Sequence, residues 1–219
     1  VPDSANPAFS IDLSRFPVPA LQHSRSSMPG TSDVAGDVPT FRDDAAAVGL
    51  TFRYFNGVHG PTTHLMFEFT GGGIGVLDLN LDGWPDLFFT QGRDWTRNVP
   101  DTSRGDRVFL NRTGARFEDV TASARLHEDG FGQGVTIGDY NADGFPDVYV
   151  ANIGRNRLWL NCGDGTFHDV TESAGFNGEN WTTSTILADL TGDGLPDIYD
   201  VNYVTADDVF ERVRRTPDG

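Results

Sequence analysis

Three nine-residue segments of this chain share one arrangement of oxygen-bearing side chains, Asp-x-Asn/Thr-x-Asp-Gly-x-Pro-Asp. They read DLNLDGWPD at 78–86, DYNADGFPD at 139–147 and DLTGDGLPD at 189–197. Each segment has carboxylates at positions 1, 5 and 9 and an amide or hydroxyl oxygen at position 3. An all-oxygen set of ligands suits a hard cation such as calcium. The three segments therefore predict up to three Ca²⁺ sites.

In each loop we expect ligand oxygens from the side chains at positions 1, 3, 5 and 9 and from the backbone carbonyl at position 7. The expected ligands are Asp78, Asn80, Asp82, Trp84 and Asp86; Asp139, Asn141, Asp143, Phe145 and Asp147; and Asp189, Thr191, Asp193, Leu195 and Asp197. The apolar side chains at position 7 are expected to pack between neighbouring sheets. The third loop is the weakest of the three, because a threonine replaces the asparagine. The alternative is that Asp, Asn and Gly form these turns without metal.

The segments that flank the loops predict strands, not the helices of an EF-hand. No glutamate closes any loop at position 12, as an EF-hand would require. The runs on either side are short and rich in β-branched and aromatic residues, which favours strands. They are GIGVL, GVTIG and TSTILA before the loops and LFFT, VYVAN and IYDVN after them. Each loop is therefore predicted to be a tight β-hairpin connection.

A second motif recurs between the loops. NRTGARFEDVT at 111–121 and NCGDGTFHDVT at 161–171 each predict a glycine-containing turn and a strand, and TFRDDAAAVGL at 40–50 looks like a diverged copy. The loop starts are 61 and 50 residues apart, with the short strands VFLN and LWLN between the two motifs. Several short strands in a unit of about 50 residues are typical of a β-propeller blade.

These residues resemble the FG-GAP or VCBS-type repeats of integrin-alpha-like β-propellers, in particular the bacterial branch related to UnbV and cartilage acidic protein. The resemblance covers roughly residues 39–205 and rests on the three nonapeptides, the FxDVT elements at 117–121 and 167–171, the Phe131-Gly132 pair and the segment 55–92. It implies an all-β propeller fold with calcium bound in the matching loops. The roles that the family covers are diverse: adhesion, assembly and accessory parts of larger proteins.

The chain is short for a closed propeller. We expect an extended, Pro/Ser-rich N-terminal arm or linker at 1–38, followed by about three blades and part of a fourth at 39–219. Propellers close with four to eight blades. An unclosed one leaves sheet faces and edges uncovered, which invites pairing. A protein partner, or the remainder of a longer chain, is therefore expected to complete this partial β-propeller, as a subunit of a larger assembly or as one chain.

Composition limits the function classes. The net charge is −16, and no basic stripe is present to bind nucleic acid. No apolar run is long enough for a transmembrane segment. Calcium modules of modest affinity work where calcium is millimolar, which favours a periplasmic or secreted location. All basic residues other than histidine are arginine, which indicates a GC-rich, bacterial genome.

Catalytic signals are weak. The chain has neither G-x-S-x-G nor H-E-x-x-H, and a loop near His59, His64 and Glu68 is expected to be structural. The sequence favours a noncatalytic, calcium-binding propeller module that mediates protein–protein contacts, in adhesion or in an extracytoplasmic assembly. The alternative is the N-terminal part of a calcium-dependent extracellular enzyme, such as a hydrolase, with its active site elsewhere. Cys162 is the single cysteine, and Asn111 and Asn180 match the N-glycosylation pattern.

Overall fold

The computed structural model describes residues 41–58, 65–95, 104–205 and 209. Contacts divide the chain into two units, Val1–Arg42 and Asp43–Gly219. The description below concerns the second unit. The arm predicted for residues 1–38 lies outside the described residues.

The first repeat is a four-stranded antiparallel sheet in which each strand pairs with the next along the chain. Its strands are β1 (Ile74–Leu77), β2 (Asp86–Phe89), β3 (Arg107–Arg112) and β4 (Arg116–Asp119). A single turn of 3₁₀-helix, Met66–Phe69, precedes it. This sheet is called repeat 1. Its strands are those that the alternating apolar runs and the intervening Gly, Pro and Asp predict.

The second repeat has the same order, and two further strands begin a third. Repeat 2 consists of β5 (Phe131–Gly138), β6 (Asp147–Arg155), β7 (Arg157–Asn161) and β8 (Phe167–Asp169). Repeat 3 consists, within the described residues, of β9 (Glu179–Ala188) and β10 (Asp197–Thr205). The end of β6 pairs with the start of β9 at Ile153↔Trp181, so the strands of repeats 2 and 3 form one sheet. The all-β prediction is confirmed.

The main core lies between repeats 1 and 2. Strands of repeat 2 direct Val148 and Val150 toward repeat 1, where they join a buried cluster with Phe88, Val108 and Leu77. All five side chains are at most 4% exposed. Alternation along each strand places these residues on one face. Repeats 1 and 2 are therefore held together mainly by buried apolar side chains.

The FxDVT motif closes the outer edge of each repeat. In repeat 1 the Asp119 carboxylate accepts the Thr121 backbone N–H at 3.0 Å, and the Thr121 hydroxyl accepts the Val108 N–H at 3.0 Å. Repeat 2 repeats both bonds with Asp169, Thr171 and Leu158, the latter donating its N–H at 2.9 Å. The threonine hydroxyl thus accepts an N–H of β3 or β7 at a position where the short last strand has ended.

A turn after this motif connects each repeat to the next. The Val48 carbonyl accepts the Phe117 N–H at 2.7 Å, and the Ala124 carbonyl accepts the Phe167 N–H at 2.8 Å. Val48 and Ala124 occupy the same place in matching turns, each with its own N–H donated four residues back, to Asp44 and Val120. Residues 43–50 are therefore a copy of the motif turn, as the diverged sequence predicts, and they contact the outer strand of repeat 1.

Candidate metal-binding loops

The three acidic segments connect adjacent antiparallel strands. They join β1 to β2, β5 to β6 and β9 to β10, with Leu77↔Asp86, Gly138↔Asp147 and Ala188↔Asp197 as the last strand pairs. The predicted hairpin connections are confirmed. Most residues between these pairs are exposed, so their oxygens face solvent.

In the first loop, side-chain oxygens accept backbone N–H groups. The Asp78 carboxylate accepts the N–H of Asp82 at 3.0 Å on one oxygen and that of Gly83 at 2.8 Å on the other. The Asp82 carboxylate accepts the Trp84 N–H at 2.9 Å. The chain turns through positive φ at Leu81 (56°) and Gly83 (85°), which glycine adopts without strain. The aspartates at positions 1 and 5 therefore stabilise the turn by accepting backbone N–H groups of the loop itself.

The second loop has the same hydrogen bonds with nearly the same lengths. Asp139 accepts the N–H of Asp143 at 3.0 Å and of Gly144 at 2.8 Å, and Asp143 accepts the Phe145 N–H at 2.9 Å. The amide of Asn141 donates to Asp143 at 2.8 Å, as Asn80 does to Asp82 at 3.0 Å. The repeated sequence pattern therefore produces a repeated geometry.

The aspartate at position 9 lies in the interior in the first two loops. Asp86 and Asp147 are both 0% exposed. Asp86 accepts the Leu79 N–H at 2.8 Å and the Asn111 N–H at 2.6 Å, and Asp147 makes the matching bonds to Tyr140 and Asn161, both at 2.8 Å. Burial is the largest influence on both carboxyls and raises the pKa of each. These carboxylates connect the loop to the third strand of the same repeat.

Asn111 and Asn161 attach the loops to the third strand of each repeat, a role that the sequence did not predict for them. The Asn111 amide donates to the Pro85 carbonyl at 3.0 Å, and its oxygen accepts the Gly114 N–H at 2.8 Å. Asn161 makes the equivalent bonds to Pro146 and Gly163, and it also donates to the Leu79 carbonyl of the first loop at 3.0 Å. The signal in the sequence is the shared Asn at the end of VFLN and LWLN. Asn111 is 5% exposed, so a glycan is not accommodated on it in this fold.

The position-7 side chains do not pack between sheets, and this prediction was wrong for the first two loops. The Trp84 ring lies over Gly114, and a Cβ on that glycine would be 2.5 Å from the ring. The Phe145 ring lies over Gly163, at 2.7 Å from such a Cβ. Both rings therefore cover the β3–β4 or β7–β8 turn of their own repeat, because the hairpin loop and that turn lie side by side at one end of the sheet. Leu195 is 61% exposed.

The third loop differs from the other two. Asp197 accepts the N–H groups of Leu190 (2.8 Å) and Thr191 (2.9 Å) on one oxygen. The bonds from these N–H groups lower the pKa of the Asp197 carboxyl, the opposite of the shift at Asp86. Asp189 and Asp193 still accept the bonds that their counterparts accept, including those from Gly194 and Leu195. Within the described residues, the third loop thus keeps the local turn and lacks the bond to a third strand.

In the first two loops, the side chains at positions 1 and 3 accept the N–H of position 5, whereas the carboxylate at position 9 bonds to the N–H groups of position 2 and of the third strand. Among the described residues, no three carboxylate, imidazole or thiol groups converge on one point. The donor chemistry nevertheless fits a hard cation, since an ionised carboxylate has about four acceptor sites and Asp78 uses two. The fifteen ligands named from the sequence remain a prediction.

Known proteins identify the repeats. The family described as FG-GAP-like repeat matches residues 78–150 and again 139–199. The chain belongs to this family. Its repeats also resemble integrin alpha-3 of Mus musculus, with 38% identity over 84 residues. That match takes in 36% of the chain and 8% of the integrin, so the chain spans a small part of this relative's length.

The narrower resemblance to UnbV and cartilage acidic protein remains a prediction. Among the described residues there is no helix with the length and apolar character to cross a membrane.

Proposed function

We propose that this FG-GAP repeat chain is a noncatalytic module that binds calcium in its hairpin loops and mediates protein–protein contacts outside the cytoplasm. The observation that carries the proposal is that two acidic loops share the same pattern of hydrogen bonds. In both, the aspartates at positions 1 and 5 and the asparagine at position 3 are held by backbone N–H groups of the loop. Oxygens held in fixed positions lose little entropy when they bind an ion.

The residues that would hold the ion are those at positions 1, 3, 5, 7 and 9. Asp82 and Asp143 are exposed and Asp78 and Asp139 are half-buried. Each pair carries negative charge close together, which costs free energy without a counter-ion. A bound Ca²⁺ supplies the positive charge that removes this repulsion. Asp86 and Asp147 position each loop relative to its sheet through their buried hydrogen bonds. The third loop, which lacks the bond to a third strand in the described residues, is expected to bind more weakly.

Repeat 3 supports the proposed contact function. Tyr149 of repeat 2 is 1% exposed, because repeat 3 covers it and its hydroxyl donates to Asp200 at 2.8 Å. Tyr199 occupies the same position in repeat 3, two residues after the last loop aspartate, and is 60% exposed. Val201 continues this face at 48% exposure, and Tyr203, which follows a shift in strand register, is 58% exposed. We infer that a further β-sheet packs here, from a partner protein or from the remainder of a longer propeller.

Terbium luminescence tests calcium binding at a single loop. Tb³⁺ replaces Ca²⁺ in oxygen-rich sites, and indole absorbs the light that excites it. Trp84 is at position 7 of the first loop, so bound Tb³⁺ should emit on excitation at the tryptophan band, and added calcium should quench the emission. Asp82→Asn should reduce the emission severalfold, and Trp84→Phe should remove the part that comes from this loop. Asp129→Asn, outside the loops, is the matched control. Emission that survives Asp82→Asn unchanged would refute the site.

A further inference from the structure

Repeats 1 and 2 carry different residues at one equivalent buried position, Asp106 and Asn156. Each directly precedes the third strand of its repeat. The Asp106 carboxylate accepts the Gln91 N–H at 2.7 Å, and the Asn156 side-chain oxygen accepts the Asn152 N–H at 2.8 Å. Gln91 and Asn152 both lie five residues after the last loop aspartate. One oxygen of each side chain therefore has the same role.

The other half of each side chain is in a different environment. The Asn156 amide nitrogen lies at the interface with repeat 3, where it donates to the Tyr149 hydroxyl (3.1 Å), the Thr182 hydroxyl (3.0 Å) and the Asp200 carboxylate (2.9 Å). At the interface between repeats 1 and 2, the residues at the same offsets from the loop aspartates are Phe88, Gly132 and Val150. None of these three side chains has a polar atom. The Asn156 amide nitrogen therefore has three acceptors, and no acceptor stands at the equivalent positions around Asp106.

The second oxygen of Asp106 has no hydrogen-bond partner among the described residues. The residue is 2% exposed. An ionised carboxylate at such a position is an uncompensated buried charge, and buried acids in this situation usually take up a proton. A protonated Asp106 has the shape of the asparagine and, like the amide, provides a donor.

A second buried acid lies beside Asp106. Glu128 is 3% exposed, and Gly105 packs against its backbone carbonyl, with a Cβ on that glycine only 2.4 Å away. Both acids line a cavity of about 550 Å³. Glu128 has donors of its own: the Gly130 N–H at 2.7 Å, the Trp159 indole N–H at 3.3 Å and the Arg157 guanidinium at 3.8 Å. Of the two acids, Glu128 is therefore the one that ionises first, and its charge opposes ionisation of Asp106.

Other charged and titratable groups around the pair compensate a charge on Asp106 only in part. The groups that face the two acids or line the same cavity are Tyr54, Arg107, Asp119, His127, Asp129 and Arg157. Arg107 favours the ionised form of Asp106, but its effect is smaller than those of burial and of the Glu128 charge, and its guanidinium also lies 3.6 Å from Asp119. Arg157 lies within 2.8–3.8 Å of Asp169, Asp129 and Glu128. Both cations are thus already placed against other acids.

We propose that Asp106 keeps its proton at neutral pH, and that the interface between repeats 1 and 2 weakens when rising pH removes this proton. The neutral acid keeps the one bond that Asn156 also makes, from the N–H five residues after the loop aspartate, without burying a charge. The interface between repeats 1 and 2 is therefore sensitive to alkali.

The direction of the pH effect follows from the environment. Burial first, and then the charge of Glu128, raise the pKa of Asp106 well above its usual value. A group whose pKa is higher in the folded state stabilises the protein fully below its unfolded pKa, about 3.9 for Asp. That contribution is lost as pH rises through the folded pKa. Within this window, the folding equilibrium constant falls by up to about tenfold per pH unit for one proton.

The test compares Asp106→Asn with the wild type between pH 4.5 and 9 at fixed calcium, by urea denaturation. The variant fixes the neutral form, so the ratio of variant to wild-type folding constants should rise with pH. Asn156→Asp is the reciprocal variant: it places a carboxylate against Asp200 and should already destabilise the protein at pH 7. Glu128→Gln removes the neighbouring negative charge, so Asp106 should lose its proton more easily and the transition should move to lower pH. A move to higher pH would contradict the coupling between the two acids.

Three results would overturn the proposal. Parallel pH profiles of the wild type and Asp106→Asn would show that Asp106 does not titrate in this range. A variant that is less stable at every pH would show that the ionised form is the one used. A loss of stability in Asp106→Asn only when calcium or sodium is added would likewise overturn the proposal, because it would show an ionised Asp106 bound to a cation.

Discussion

Asn111 donates hydrogen bonds to two neighbouring residues, Pro85 and Asp86, although it lies 25 residues after Asp86 in the sequence. The Asp86 carboxylate accepts the Asn111 backbone N–H at 2.6 Å, and the Asn111 side chain donates to the carbonyl of Pro85 at 3.0 Å. Asp147 and Asn161 repeat this arrangement. The last residue of each metal-loop motif is therefore also part of the core of its sheet.

Replacing Asp86 should destabilise the fold even without metal. Asp86→Ala leaves the N–H groups of Leu79 and Asn111 without their acceptor, and each unsatisfied buried group costs about 1–3 kcal/mol. We expect a loss of roughly 2–5 kcal/mol, measured by urea denaturation in the presence of a chelator. Asp197→Ala is the matched control and should cost less, because exposed N–H groups can bond to water. Equal losses would contradict the structural role of Asp86.

Calcium should raise the stability of the wild type by mass action. At a calcium concentration about 100 times the dissociation constant, each site adds roughly 2.7 kcal/mol. A chelator should therefore lower the melting temperature by many degrees. The control is the double variant Asp78→Asn with Asp139→Asn, in which the chelator should have a much smaller effect. An unchanged wild-type melt in chelator would refute metal binding.

Gly114 should be needed for the position of Trp84. Gly114→Ala places a Cβ at 2.5 Å from the indole, at a φ of 76°. Gly165→Ala has a similar φ of 83° but meets no atom within 4 Å, so it isolates the backbone cost of about 1–2 kcal/mol. We expect Gly114→Ala to shift the Trp84 fluorescence and weaken terbium binding. Gly165→Ala should lose stability without either change.

The ionisation of Glu128 should be visible in the fluorescence of Trp159. The indole N–H donates to this carboxylate, and burial raises its pKa to about 7. Its stabilising contribution is complete below the ordinary glutamate pKa of about 4.3 and is lost as pH rises through 7. The fluorescence difference between the wild type and Glu128→Gln should titrate near that pH. A fluorescence difference that does not change between pH 6 and 8 would contradict a Glu128 pKa of about 7. Trp159→Phe should remove the signal.

The exposed face of repeat 3 should promote association. Tyr199→Ser with Tyr203→Ser removes two side chains that are 60% and 58% exposed. We expect the wild type to sediment as larger species at high concentration and this variant to remain smaller, because apolar sheet faces associate to leave water. Phe69→Ser, which removes a 75% exposed ring elsewhere, is the control. Equal sedimentation of the wild type and the double variant would argue against the surface.

Local patterns were sufficient to predict the strands and hairpins. Alternating apolar residues set the strand faces, and Gly, Pro and Asp set the turns, both over distances of a few residues. The turn at residues 43–50 also follows from its sequence, although its partner, Phe117, is far away. The strands and turns of each repeat can therefore be predicted from residues that are close together in the sequence.

Contacts between distant segments were not predictable from these patterns. Trp84 was expected between sheets, but it covers a turn of its own repeat, because the sequence does not show that the two connections lie side by side. Among the 32 acidic residues, nothing local distinguishes buried Asp106 and Glu128 from exposed ones. Their burial depends on how repeats 1 and 2 pack.

In the two hydrogen bonds that Phe117 donates to Val48 and Phe167 donates to Ala124, the acceptor precedes the donor in the sequence. The ribosome therefore makes the acceptor carbonyl of Val48 or Ala124 before the strand that bonds to it. Assembly can thus proceed in the order of synthesis. Damage to one turn therefore removes a hydrogen-bond partner from the outermost strand of the repeat that follows it. A proteolytic cut near Val48 would loosen a sheet that begins more than twenty residues later.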